Sequence, residues 1–127
     1  MNKESLTQWL QRLETVHPKA VDLGLERVST VAYALQLLPL KYPAVTVAGT
    51  NGKGSTIAVL EALISEAGYC VGSFTSPHLL RFNERIRVGG VDASDAEIVH
   101  AFGLIDQARG PVSLTYFEFA ALAALLI

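Results

Sequence analysis

The run Gly49-Thr50-Asn51-Gly52-Lys53-Gly54-Ser55-Thr56 limits the folds open to this chain more than any other stretch. Ahead of it stands Ala44-Val45-Thr46-Val47-Ala48, a short, apolar, β-branched run that predicts a buried strand. Behind it, Ile57-Ala58-Val59-Leu60-Glu61-Ala62-Leu63-Ile64 predicts a helix. Strand, glycine-rich turn and helix form the setting in which a backbone wraps an anion. Glycine permits the tight turn and the close approach. The first helical amides have no partner inside the helix, and the helix dipole adds partial positive charge there. Lys53 would bring a full charge to β- and γ-phosphates, with the amides of Thr50, Asn51, Gly52, Lys53, Gly54 and Ser55 around them. Ser55 or Thr56 would offer a hydroxyl to Mg²⁺ or to a phosphate oxygen. The loop is a short variant. The standard pattern wants a glycine where Val47 stands and Ser or Thr where Gly54 stands.

The flanking segments extend this to a fold class. Gly68 is placed as the C-cap of the helix behind the loop, and Tyr69-Cys70-Val71-Gly72-Ser73-Phe74 predicts a second strand. Strand, helix, strand implies a parallel pair with a right-handed crossover. The expected class is therefore α/β, a parallel sheet with helices on both faces. The helix after the loop is apolar on most sides, broken only by Glu61, Ser65 and Glu66, so both of its faces should be covered. Ligands in such sheets gather beyond the carboxyl ends of the strands. Thr75-Ser76-Pro77-His78 stands at such an end, which favours Ser76 beside the phosphates over a plain turn.

Elsewhere the signals are structural first. Leu6, Trp9, Leu10 and Leu13 fall at helical spacing with Ser5 as N-cap, and Val16-His17-Pro18-Lys19 breaks that helix. His17 reads as a surface loop residue. A second helix buries Val28, Val31, Ala32, Leu35 and Leu38 and ends at Pro39. Asp22 reads as its starting acid, and Glu26 with Arg27 as a solvated pair. Arg85-Ile86-Arg87-Val88 alternates like an edge strand turning at Gly89-Gly90. One of Arg81, Arg85 and Arg87 is a candidate to face an acidic substrate. Arg81 is favoured because it follows the Ser-Pro-His turn. Ser94-Asp95-Ala96-Glu97 is a capping box opening a helix with Ile98, Ala101, Phe102 and Ile105 inward, and His100 on the surface. Thr115-Tyr116-Phe117-Glu118 is a second box, before the unbroken apolar run Phe119 to Ile127.

Composition sets outer limits. The chain has 127 residues, enough for one domain, and its net charge of −2 gives no basic footprint for nucleic acid. Half of it is hydrophobic and 17% charged, so some faces should be covered by further protein. The single cysteine, Cys70, cannot form an internal disulfide, fits a reducing compartment, and should be buried and inert in its strand. The opening Met1-Asn2-Lys3-Glu4-Ser5 is polar, unlike a signal peptide. No apolar run reaches the roughly 20 residues that span a bilayer.

Several motifs together carry a family resemblance. Gly-Thr-Asn-Gly-Lys-Gly-Ser at 49–55 resembles the ATP loop of the Mur ligase-like superfamily, and Gly54 points to its folate branch, the folylpolyglutamate and dihydrofolate synthases. Asp22-Leu23-Gly24-Leu25-Glu26-Arg27, Thr75-Ser76-Pro77-His78-Leu79, Arg81-Phe82-Asn83-Glu84-Arg85-Ile86 and Leu114-Thr115-Tyr116-Phe117-Glu118 fit that branch in the same order, and the bifunctional bacterial form in particular. The resemblance implies an ATP- and Mg²⁺-dependent ligase, with Lys53 catalytic, joining L-glutamate to dihydropteroate or a folate through an acyl phosphate. It implies that Ser76 helps hold the metal. It implies too that Asp22, Leu23, Gly24 and Leu25, with the turn Thr115, Tyr116, Phe117 and Glu118, contact the pteroate. A cytoplasmic monomer with no nucleic-acid or membrane partner is expected.

The family's acidic and histidine metal ligands and its glutamate-binding domain have no counterpart in the sequence. Residues 1–127 are therefore expected to be the N-terminal part of an ATP-binding domain, inactive alone, with 1–40 a helical lead-in and 44–127 an incomplete core. Two other readings stand beside this one. One is a Mur-type ligase of peptidoglycan synthesis, disfavoured by Gly54 and the Asp22 to Arg27 stretch. The other is a nucleotide-binding fragment without turnover.

Overall fold

The structure, a computed structural model, describes residues 4–18 and 22–127. Met1, Asn2 and Lys3 of the polar opening, and Lys19 of the helix break, lie outside the described residues. In chain order the helices are α1 (Leu6–Val16), α2 (Glu26–Ala34), α3 (Lys53–Glu66), α4 (Asp95–Arg109) and α5 (Tyr116–Leu126). The strands are β1 (Gly72–Phe74), β2 (Ile86–Val88) and β3 (Val91–Asp92), with a 3₁₀ turn at Phe82–Arg85 before β2. The chain divides into two compact units, one from Met1–Lys41 with Asp95–Ile127 and one from Tyr42–Ser94.

The first unit is helical and its core follows from periodicity. Ser5 caps α1 reciprocally: its Oγ accepts the Gln8 amide at 3.3 Å while Gln8 Oε1 accepts the Ser5 amide at 2.8 Å. That start turns Leu6, Trp9 and Leu13 inward. Helix α4 buries Ile98, Ala101, Phe102 and Ile105, the face its spacing predicts, and His100 is exposed. The rings of Trp9 and Phe102 lie 5.7 Å apart, and Phe102 meets Phe119 of α5 edge-on at 5.9 Å. The apolar run of α5 is largely buried, including Ala120, Leu122 and Ala123. Helix α2 adds Val31 and Ala32 to this core and stops well short of Pro39. Gln36 takes a left-handed φ of 59°; its amide donates to Tyr33 O at 3.0 Å and the Leu37 amide to Ala32 O at 2.9 Å. This is a Schellman stop made without glycine, so backbone capping ends the helix before the proline can.

The second unit carries α3 and the sheet. Gly68, with φ of 90°, ends α3 as expected: its amide donates to Ser65 O at 2.9 Å, and the Tyr69 amide reaches Ile64 O at 3.2 Å. The sheet departs from the expected parallel arrangement. Its strands run β1-β2-β3, all antiparallel, with Ser73 opposite Arg87 and Arg87 opposite Asp92. Residues 85–88 were expected at an edge, yet β2 is the central strand. Gly89 and Gly90, at φ of 58° and 80°, form the mirror-image turn that matches strand twist, so β2 pairs at once with β3. The run 44–48 forms no strand in the described chain, and Val45 is 71% exposed. A strand exists only through a ladder partner, and hairpin neighbours find theirs locally. Helix α3 is also not covered as its composition suggested: Val59 and Leu63 are exposed, and its buried residue is the acid Glu61. Glu61 accepts from Ser73 Oγ at 2.7 Å and lies 3.5 Å from the Arg87 guanidinium, so the sheet holds it. Cys70, expected to be buried, is exposed beside the shortened β1. No helix among the described residues is long and apolar enough to cross a membrane.

Candidate functional site

Of the strand, glycine-rich turn and helix expected around residues 49–56, the helix start is present and the strand at 44–48 is not. Gly52 is the N-cap of α3 in the left-handed conformation, φ 76°, where a side chain would be strained. No side chain caps the helix and its first turn holds no acid, so its leading amides are left to an external acceptor. Lys53 Nζ donates to Gly49 O at 2.6 Å and Thr50 O at 3.1 Å, which brings the ammonium back over the loop. Thr56 Oγ1 donates to Gly52 O at 2.8 Å, so of the two hydroxyls considered it is bound inward, while Ser55 is exposed. An uncapped helix start with a lysine folded over its loop fits a polyphosphate. The described residues hold no group of three or more His, Cys, Asp and Glu able to bind a metal. Exposed hydroxyls at Ser55 and Ser76 suit a Mg²⁺ held largely by phosphate and water.

Ser76 follows β1 in the same unit. The chain on both sides of it is tethered by two consecutive residues of the 3₁₀ turn. Arg85 O accepts the Thr75 amide at 2.9 Å, and Arg85 Nε donates to His78 Nδ1 at 2.8 Å. Glu84 accepts the amides of Leu79, Leu80 and Arg81 at 2.9, 2.8 and 2.7 Å. Those three backbone bonds, Leu79 first, hold the Glu84 carboxyl below the ordinary glutamate range. Arg87 is engaged with Glu61, Asp92 and Gly90 O, and Arg85 with His78. All three arginines have partners, and Arg81 is the most exposed of them.

A second cluster lies in the helical unit. Thr115 caps α5: its Oγ1 accepts the Glu118 amide at 3.2 Å and its own amide donates to Glu118 Oε2 at 2.7 Å. The other Glu118 oxygen, Oε1, takes Arg27 at 2.9 Å. Arg27 also pairs with Asp22 Oδ2 at 3.1 Å and donates to Asp22 O at 3.0 Å. Arg27 is not a solvated partner of Glu26 but joins the two segments expected to meet the pteroate. His17, expected at the surface, has a side chain 7% exposed and sits 3.5 Å from Asp22. Leu23, Leu25 and Phe117 project apolar surface into solvent, and Tyr116 is half-buried. Gly24 turns this loop at φ 137°.

No family model matches the chain. Over 120 residues it is 50% identical to the dihydrofolate synthase/folylpolyglutamate synthase of Escherichia coli (strain K12), covering 94% of this chain and 28% of that protein. The structure of E. coli FolC in complex with DHPP and ADP matches with a TM-score of 0.93 at 49% identity, over 96% of this chain and 30% of that one. By sequence and by backbone the chain is similar to part of the dihydrofolate synthase/folylpolyglutamate synthases. A bifunctional folylpolyglutamate synthase/dihydrofolate synthase solved with Mn, AMPPNP and L-glutamate matches at 50% identity and a TM-score of 0.90, over 97% of this chain and 30% of that one. The chain thus spans less than a third of the length of these relatives.

Sequence reasoning missed the contacts made by Arg27, His17 and the pair Glu84-Arg85. Their partners explain why: Arg27 finds Glu118 across 91 positions, a separation at which no spacing rule applies. Glu84 was within reach, since an acid three residues after a loop amide is a capping pattern.

Proposed function

We propose that this chain is part of an ATP-dependent ligase that adds L-glutamate to dihydropteroate or a folate. The observation that carries the reading is the uncapped start of α3 with Lys53 folded over the loop, an arrangement suited to a nucleotide's phosphates. The neighbours solved with ADP and DHPP, and with Mn, AMPPNP and L-glutamate, support it.

The reaction is amide formation through phosphoryl transfer. An oxygen of the substrate carboxylate takes the γ-phosphoryl group and ADP leaves. The glutamate amine then attacks the acyl carbon, phosphate departs with the carboxylate oxygen, and a proton is released. The residues of this chain bind and align. The backbone from Thr50 to Ser55, with Asn51, Gly52 and Gly54 keeping it close, surrounds the phosphates, and Thr56 braces the helix start. Lys53 exchanges its loop carbonyls for the β/γ-phosphates and offsets charge in the transition state. Mg²⁺, when bound, would supply further charge neutralisation, with Ser55 and Ser76 as its protein oxygens. Asp22, Leu23, Gly24 and Leu25, with Thr115, Tyr116, Phe117 and Glu118, form the pteroate contacts, and Arg81 faces an acidic substrate. In the intact protein the run 44–48 enters a parallel sheet as the strand before the loop. A cytoplasmic monomer acting without nucleic acid or membrane completes the reading.

The test is glutamate-dependent phosphate release by the intact protein with ATP, Mg²⁺ and dihydropteroate. Turnover that disappears in a folded Lys53→Ala variant is expected. Turnover with muramyl precursors instead would move the protein to the cell-wall branch, and wild-type kinetics in Lys53→Ala would remove the loop from the mechanism.

A further inference from the structure

Ser76 lies in a segment that apolar burial does not hold in place. Leu79 and Leu80, just beyond it, are each 90% exposed. Apart from the His78 ring, edge-on to the buried Phe82 at 6.1 Å, the contacts that fix the backbone here are polar. On one side of Ser76, the Thr75 amide donates to Arg85 O at 2.9 Å. On the other, His78 Nδ1 accepts from Arg85 Nε at 2.8 Å, and the Glu84 carboxylate takes the next three amides, from Leu79, Leu80 and Arg81. Both flanks of Ser76 are thus held by two adjacent residues, Glu84 and Arg85. Their own turn is anchored, since Phe82 and Asn83 are buried and Asn83 Nδ2 donates to Ala93 O at 2.8 Å. We propose that Glu84 and Arg85 are positioning residues that hold the Ser76 hydroxyl in place for the metal–nucleotide complex. The inference rests on the nucleotide reading above.

Both residues hold the chain around Ser76 and neither belongs to the phosphate loop, so their loss should weaken metal-dependent binding and spare binding through that loop. The probe is the affinity of the intact protein for Mn²⁺·AMPPNP, measured by Mn²⁺ paramagnetic resonance, set against its affinity for ADP without metal. Removing a group that orients a ligand commonly costs tenfold or more in metal affinity, so Glu84→Ala should weaken Mn²⁺·AMPPNP binding by about tenfold. Metal-free ADP affinity should change by less than about twofold, as for independent sites. Glu84→Gln should fall between. Its carbonyl oxygen can still take Leu80 and Arg81, but its amide group would oppose the Leu79 N–H. Arg85→Lys, which loses the Nε donor, should resemble Glu84→Gln. If Glu84→Ala does not fold, the Gln variant decides alone. Wild-type Mn²⁺·AMPPNP affinity in a folded variant overturns the inference, as does an equal loss in both affinities. If the wild-type protein binds neither ligand, the nucleotide reading itself fails, and this inference with it.

Discussion

Replacing Arg27 by methionine should destabilise the helical unit, because two carboxylates depend on its guanidinium. Glu118 receives it at 2.9 Å with a side chain 9% exposed, and Asp22 receives it at 3.1 Å with a side chain 28% exposed. The Asp22 arm is near the surface and contributes no more than about 1 kcal/mol. Breaking a fully buried pair costs about 3–5 kcal/mol, because the remaining charge is left without compensation. Here Arg27 is itself 24% exposed and Glu118 keeps the Thr115 amide, so the Glu118 arm falls below that range. The buried Arg27 Nε has no hydrogen-bond partner, so methionine also removes a desolvated donor. A net loss of about 2–3 kcal/mol is expected. Urea unfolding of the intact protein measures it, with the fluorescence of Trp9, packed on Phe102, reporting this unit. The decisive form is a cycle with Glu118→Gln. The double variant should be more stable than the sum of the singles by about 1.5 kcal/mol, because Gln leaves no orphaned charge. Costs that add within about 0.5 kcal/mol would refute the coupling argued from the geometry.

Lys53→Ala should lower nucleotide affinity and abolish turnover while leaving the melting temperature near wild type, since Nζ bonds only exposed loop carbonyls; calorimetric titration with ADP checks the binding. Thr115→Ala should cost about 0.5–2 kcal/mol through the lost cap and raise the KM for dihydropteroate; a lower melting temperature with unchanged KM would leave Thr115 a cap alone. Glu84 has a folded pKa depressed by backbone bonds, so its stabilisation is fully present above the unfolded value of about 4.3 and is lost as pH falls through the lower folded value. The protection factors of the Leu79, Leu80 and Arg81 amides, corrected for the intrinsic pH dependence of exchange, should therefore fall as Glu84 is protonated, and Glu84→Gln should remove that dependence. Gly24→Ala places a Cβ at φ 137° and 2.8 Å from Glu26 Oε2. The carboxylate can swing away but the backbone strain remains, so about 1–3 kcal/mol of local stability and some dihydropteroate affinity should be lost, with the KM for ATP unchanged.

The features legible in the sequence are those settled within a turn of chain. The caps at Ser5 and Thr115 and the inward face of α4 depend on partners three or four residues away, so residue type and spacing suffice. The loop at 49–56 is of the same kind: Gly52 supplies the conformation, and Lys53 finds acceptors three and four residues back. Tertiary structure decided whatever needed a distant partner. Which strands exist, and which lies centrally, depends on ladder bonds to other segments, so residues 44–48 show no strand while β2 takes the middle of an antiparallel sheet. An ion pair leaves no periodic trace, so Arg27 looked like a solvated neighbour of Glu26 until the fold brought Glu118 to it. Burial of Glu61 in a helix whose apolar residues stay exposed has the same cause. Hydropathy ranks a side chain by its transfer from water, but Ser73 and Arg87 set the cost of burying this carboxylate.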